Sequence, residues 1–240
     1  MNLLPPTTMT DVANQAPAVA VLPVGSFEQH GAHLPLATDT LVANGIANAV
    51  ASAYRLLLLP PVSMACSHEH AAWPGTVSIS ASTLIAVVTD TARSLERSGI
   101  HKLVIVNGHG GNYVLSNIVQ EANVDGPRMA LFPRGQDWQA AREAAGLESS
   151  AHDDMHAGEI ETSLLLHLCP DMVRDGFEKA DHVADRPHLL VHGMAPYTES
   201  GVVGRPSLGT AVKGGAVLDA LTAAFTETLG ALMAPRSARH

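Results

Sequence analysis

The chain has 240 residues, 46% of them hydrophobic and only 15% charged, with a formal net charge of −9. No Lys/Arg cluster supplies the basic footprint that phosphate neutralisation requires, which argues against nucleic acid as a partner. No uninterrupted apolar run reaches the ~18 residues of a membrane span, and the N-terminus lacks the basic and apolar regions of a signal peptide.

Length predicts one large domain over residues 1–240, with residues 1–16 as a loose leader. The first buried strand is expected at residues 18–24, "AVAVLPV", which are short, apolar and Val-rich. After the loop "GSFEQHGAHLPLA", Thr38 or Asp39 can cap a helix through "LVANGIANAVASAY". "RLLLLPPVSM" reads as a second strand ended by its prolines. "GTVSIS" reads as a short alternating strand, and "STLIAVVTDTARSLERSG" as a helix stopped at Gly99. "KLVIVNG" is a further buried strand, and "HGGN" turns from it into the helix "YVLSNIVQEAN". "RMALFPR" is expected to be a strand, and "QDWQAAREAAG", "EIETSLLLHL" and "VLDALTAAFTETLGALM" helices. Residues 180–210 are loop-rich. Strands alternating with amphipathic helices predict an α/β fold of three layers, with a mostly parallel sheet covered on both faces.

Thirteen histidines against fourteen Lys plus Arg are the compositional anomaly. The most suspicious ones follow the strands "AVAVLPV" and "KLVIVNG", and open α/β sheets bind ligands at strand carboxyl ends. Glu28 and His30 are two apart, so a persisting strand would point both at one ion. Asp39 is either an ordinary N-cap or a ligand returning to that ion. Beside Glu28 and His30 the ligand reading is preferred. His109 sits in "NGHGGN", which fits neither nucleotide-binding glycine pattern. A third segment, "HDDMHAGEIETS", places His152, Asp153, Asp154, His156, Glu159 and Glu161 at a helix mouth, where some acids must simply complement the dipole. A donor set of Glu, Asp and His suits zinc, manganese or iron. Two such ions sharing a carboxylate make a hydrolytic site.

In order, "VGSFEQHGAHLPLATDT", "EHAAWPGT", "VNGHGGN" and "HAGEIETS" resemble the creatininase (creatinine amidohydrolase) family, and "GVVGRP" is similar to its tail. The resemblance implies a creatininase-like α/β fold, two divalent metal ions, amide-bond hydrolysis by a metal-bridging hydroxide, and a homohexamer. It assigns Glu28, His30, Asp39 and His109 to the metals, with Asp39 as the bridge, and His156 to proton transfer. The chain departs from creatininase at two points. Gly111 stands where that enzyme has a metal-binding Glu, so Glu161 is expected to complete the second metal and serve catalysis, with Glu159 in reserve. His152 stands where creatininase packs a Trp on its substrate, which argues against creatinine. The "GHGGN" form is also similar to the peptidase that trims the mycofactocin precursor and to the formamide hydrolase of flavin and deazaflavin synthesis. A small amide or peptide is therefore the expected substrate. The competing reading is a non-catalytic, metal-stabilised binding scaffold. His33 is either a hydrogen-bond partner of a ligand or a satisfied buried residue. The two cysteines, Cys66 and Cys169, are too few for a disulfide framework, so a cytoplasmic home is the default. The low charge fraction reflects either surface covered in an oligomer or an Ala-rich composition.

Overall fold

A computed structural model describes residues 4–235. Its sheet has four parallel strands in the order β2-β1-β3-β4, namely β1 (Val19–Val24), β2 (Leu57–Leu58), β3 (Lys102–Asn107) and β4 (Met129–Phe132). Side chains alternate across the sheet, as the two-residue strand period requires. Val19 and Val21 of β1, with Val104 and Val106 of β3, face one apolar layer. Ala20, Leu22 and Val24, with Leu103 and Ile105, face the other. The first layer is closed by α2 (Thr38–Tyr54), α5 (Gly135–Ala144), α6 (Glu159–Leu168) and α8 (Ala211–Met233), and the second by α3 (Ala81–Arg97) and α4 (Val114–Ala122). This is the three-layer α/β fold expected from the alternating pattern.

The differences from expectation are local. α1 (Met9–Gln15) is a helix within the segment read as a leader, closed by a Thr8–Asp11 capping box and burying none of its residues. β2 shrinks to two residues, and only a bridge from Val24 to Val62 extends it. Pro60 and Pro61 lie between, and neither can donate to a ladder. Residues 75–80 form no strand. Their amides make single bonds, Val77 to the Phe27 carbonyl and Ile79 to that of Ala65, strapping two loops rather than extending a sheet. α8 begins earlier than its apolar run, because the Thr210 hydroxyl accepts from the Lys213 amide and starts it there. α7 (Leu189–His192) is a short helix in the loop-rich segment.

α8 is long and apolar enough to cross a membrane by length and composition, with a mean hydropathy of 1.3 over its best window. Here Val217, Leu221, Phe225 and Leu232 lie in the core. Two of its three charges are tied to the rest of the chain, Lys213 to Glu159 and Glu227 to Arg134.

Two glycines set where α2 lies. A Cβ on Gly25, after β1, would fall 2.3 Å from the Thr40 amide nitrogen, and one on Gly108, after β3, 2.3 Å from the Asp39 carbonyl oxygen. With no side chain at either strand end, the first turn of α2 settles directly onto both.

Phe225 is fully buried, with the rings of Phe132 and Tyr54 each 5.1 Å away. Phe225→Ala is expected to lower the unfolding free energy by about 3–5 kcal/mol, as for other buried Phe truncations. Urea titration would measure it, and a loss under ~1 kcal/mol would contradict this packing.

Candidate metal centre

β1 ends at Val24, so Glu28 and His30 do not converge by strand alternation. They stand on a loop closed by the hydrogen bond from the Glu28 amide to the Leu36 carbonyl (2.9 Å), and the closure turns both side chains inward. His30 Nδ1 lies 3.1 Å from the Glu28 carbonyl. Donation there leaves Nε2 as the free lone pair, which faces Asp39 Oδ1 at 3.1 Å and Glu161 Oε1 at 3.8 Å. Asp39 is not a cap. The N-cap of α2 is Ala37, with no side-chain bond, and Asp39 lies one residue into the helix. Its Oδ2 accepts from Ser26 Oγ (2.6 Å) and faces His109 Nδ1 (3.0 Å). Each Asp39 oxygen therefore serves a different histidine, the arrangement a bridging carboxylate needs. His109 Nε2 reaches the Cys66 carbonyl at 2.9 Å, which orients Nδ1 toward Asp39.

Glu161 enters from the first turn of α6. Its Oε2 accepts from the Ala157 amide (2.6 Å), leaving Oε1 to face His30. Ala157 adopts φ +53°, a left-handed conformation worth about 1–2 kcal/mol of strain in a non-glycine residue. Asp154 caps this helix by accepting from the amides of Glu159 (2.5 Å) and Ile160 (3.1 Å), and it pairs with buried Arg142 at 2.8 Å. Glu159, the reserve ligand, is directed elsewhere: it accepts from the amides of Glu148 and Ser149 and from Lys213 Nζ (2.6 Å). His152 is exposed and pairs with Asp185. His33 Nε2 faces the Ala157 carbonyl at 3.1 Å, tying the first loop to the "HAG" loop.

His156 is enclosed by the rings of His30 and His70, centroids 4.2 and 4.3 Å away. Its Nε2 lies 2.7 Å from the Gln29 carbonyl, and Nδ1 faces Glu28 Oε1 at 3.8 Å. The Gln29 amide donates to the Gly201 carbonyl and to His70 Nδ1. His70 Nε2 lies 3.2 Å from Glu28 Oε1 but outside hydrogen-bond alignment. Sequence reasoning gave His70 and Gln29 no role, although His70 lies within the matching stretch "EHAAWPGT".

Three groups of side chains bring ligand atoms within 4.8 Å of one another: Glu28/Asp39/His109, His30/Asp39/Glu161 and Glu28/His30/His156. Glu28 is 0% exposed, and neither carboxylate oxygen accepts a hydrogen bond. Burial, then the charge of Asp39, pushes its carboxyl up to about 8. His109 is raised to about 9, the charges of Asp39 and Glu28 outweighing a burial cost that acts the other way. Burial also opposes charging Asp39, yet His30 and His109 hold it well below the carboxylate range. Burial, then the charge of His30, pulls His156 down to about 4. An orphaned buried carboxylate among imidazoles is a cation site by its own chemistry. The donor set fits two divalent ions with Asp39 between them.

Two cavities lie here, and only the smaller is lined by candidate ligands. One of about 330 Å³ is lined by His109, Glu161, Val42, Trp138, Arg142 and Met155. The other, of about 450 Å³, is lined by Glu69, Gly111, Tyr113 and residues of α7. Neither is lined by His156.

A paired-ion donor set at the carboxyl edge of a parallel sheet, with a cavity against His109 and Glu161, is the centre of a metal-dependent hydrolase. The chain belongs to the creatininase family: the family profile, described as creatinine amidohydrolase, matches residues 6–229. That membership makes it a hydrolase acting on C–N bonds. It is 36% identical over 222 residues to a mycofactocin precursor peptide peptidase of Mycobacterium ulcerans, covering 85% of this chain and 83% of that one. It is 30% identical over 185 residues to a creatinine amidohydrolase of Pseudomonas putida, covering 70% and 69%. The fold superposes on a creatininase structure with Mn at a TM-score of 0.82, with 24% identity over 96% of this chain and 98% of that one.

Asp39→Ala removes the shared ligand and is expected to abolish binding of both ions, whereas Glu161→Ala is expected to lose one equivalent. Glu159→Gln should keep both while lowering stability through Lys213. Elemental analysis beside thermal unfolding would check all three, and unchanged stoichiometry in Asp39→Ala would contradict the shared-ligand geometry.

Proposed function

We propose that the protein is a peptidase that cleaves an amide bond in a short precursor peptide of the mycofactocin type, using two divalent ions, zinc, manganese or iron. The observation that carries this reading is the pair of cavities flanking the centre, which together offer more room than a creatinine-sized ring fills. The likeness to the mycofactocin precursor peptidases supports it. So does the exposure of His152, which leaves the centre without the stacking wall expected for creatinine.

In this reading Glu28, Asp39 and His109 hold one ion, and His30, Asp39 and Glu161 the other. Bound there, the ions would acidify a water and polarise the scissile carbonyl. The chain's own residues do the rest. Ser26 holds the Asp39 carboxylate in place, and the His70 ring lies against Glu28. Trp138 and Leu164 in the smaller cavity shield the peptide from water. His156 passes a proton at Nδ1, since its Nε2 is committed to the Gln29 carbonyl. An amide nitrogen leaves poorly without a proton, and such assistance contributes about 10²–10⁴-fold. The protein works as a homohexamer, a reading drawn from the family and the low charge fraction. Both cysteines are unpaired, which fits a reducing cytoplasm.

His156→Ala is expected to keep its metals and lose about 10²–10⁴-fold in rate on a panel of short peptides, formamides and creatinine. Elemental analysis and turnover on the same preparations decide the matter. Loss of metal in step with rate would make His156 a ligand through its grouping with Glu28 and His30. Faster turnover of creatinine than of any peptide would overturn the substrate class. Sedimentation velocity at micromolar concentration is expected to give a single hexameric species, and a monomer would refute the assembly.

A further inference from the structure

Glu69 lies in the 3₁₀ turn His68–His70, beside the metal centre but in none of its ligand groupings. Its Oε1 is 3.8 Å from His109 Nε2, too far for a hydrogen bond. Its side chain is 12% exposed, so it is largely enclosed. Among the described residues its carboxylate accepts no hydrogen bond and meets no lysine or arginine. It does, however, line the 450 Å³ cavity with Gly111, Tyr113 and α7.

Its position is imposed from both sides. The Glu69 carbonyl accepts from the Met194 amide at 2.9 Å, which fixes the turn against the end of α7. On the other side, a Cβ on Gly111 would fall 2.2 Å from Glu69 Oε1 and 2.4 Å from His109 Nε2. The carboxylate thus occupies the space that any side chain at position 111 would claim, and only glycine there admits it.

An enclosed carboxylate without a donor is costly unless a ligand supplies one. We propose that Glu69 is a substrate-binding residue that accepts a hydrogen bond from a backbone N–H of a peptide lying in the cavity beside Gly111. The proposal rests on the peptidase reading for its substrate class. It assigns the cavity under α7 to peptide backbone next to the scissile bond. Gly111 is the residue that makes room for this contact.

The test compares the metal-loaded wild type with Glu69→Ala, Glu69→Gln and Gly111→Ala. The probe is acetyl-Ala-Phe-Ala-Phe, with derivatives N-methylated at each backbone nitrogen in turn. Affinity is read by calorimetry, cleavage by chromatography and metal by elemental analysis. In the wild type, methylation at one nitrogen is expected to weaken binding by about 10–100-fold, the range for a hydrogen bond to a charged group. In Glu69→Ala the parent peptide should bind as weakly as that methylated derivative, and the difference between them should vanish. Gly111→Ala should give the same loss by displacing the carboxylate. Glu69→Gln, nearly isosteric, keeps a weaker acceptor and carries the test if the alanine variant does not fold. Metal content should stay constant in the Glu69 variants, and Gly111→Ala is read only on preparations that keep the wild-type metal content. The same methylation profile in wild type and Glu69→Ala, or metal loss on substitution of Glu69, or no binding of any peptide to the wild type, would each overturn the proposal. Binding without cleavage would leave Glu69's role standing and overturn the peptidase reading instead.

Discussion

Everything around the strand ends answers to one constraint: three carboxylates, Glu28, Asp39 and Glu161, share a space largely closed to water. Ligand atoms of neighbouring groups lie within 4.8 Å. At that separation two like charges repel by about 3 kcal/mol even at an effective dielectric constant of 20. The fold reduces this cost with directed donors, Ser26 and His109 for Asp39 and the Ala157 amide for Glu161. Glu28 receives no aligned donor and keeps its proton near neutral pH, which a bound ion would displace. Metal binding and the stability of this region are therefore linked.

The polar scaffold behind the ligands is as selective as the ligands. Gln29 donates its side-chain amide to His70 Nδ1 and the Gly201 carbonyl and accepts from His156 Nε2 at its backbone carbonyl, and so sets the ring orientation of two histidines together. Asp154 and Arg142 act on the other side, where the ion pair fixes the start of α6. A buried pair of this kind adds little net stability but is damaging to break. Its use here is geometric, because α6 carries Glu161.

The sheet and most helices were legible in the sequence because burial on both faces leaves continuous apolar runs such as those of β1 and β3. Glu28, His30, Asp39 and His109 were legible because charged side chains at buried strand ends are unusual. The route by which Glu28 and His30 converge was not, since it depends on a hydrogen bond closing the loop to Leu36. His70, Gln29 and Glu69 carry no local signal. Gln29 sits in the loop after β1 and Glu69 and His70 in a 3₁₀ turn, neither with any periodicity, and only the folded chain shows what they face. The strand expected at residues 75–80 failed for a related reason: an alternating pattern cannot tell a ladder from a strap held by single bonds.

The two ion sites differ in how much of the chain they need. Glu28 and His109 lie on the loops that follow β1 and β3, and Asp39 on the turn of α2 that rests on them, so the first 110 or so residues contain that half of the centre. The other half needs Glu161 on α6, and α6 packs against α8, the last helix of the described chain, where Lys213 grips Glu159. During synthesis, the first group of ligands leaves the ribosome well before the second can be set. The candidate ligands are thus supplied in sequence order, and the position of Glu161 depends on a helix made last.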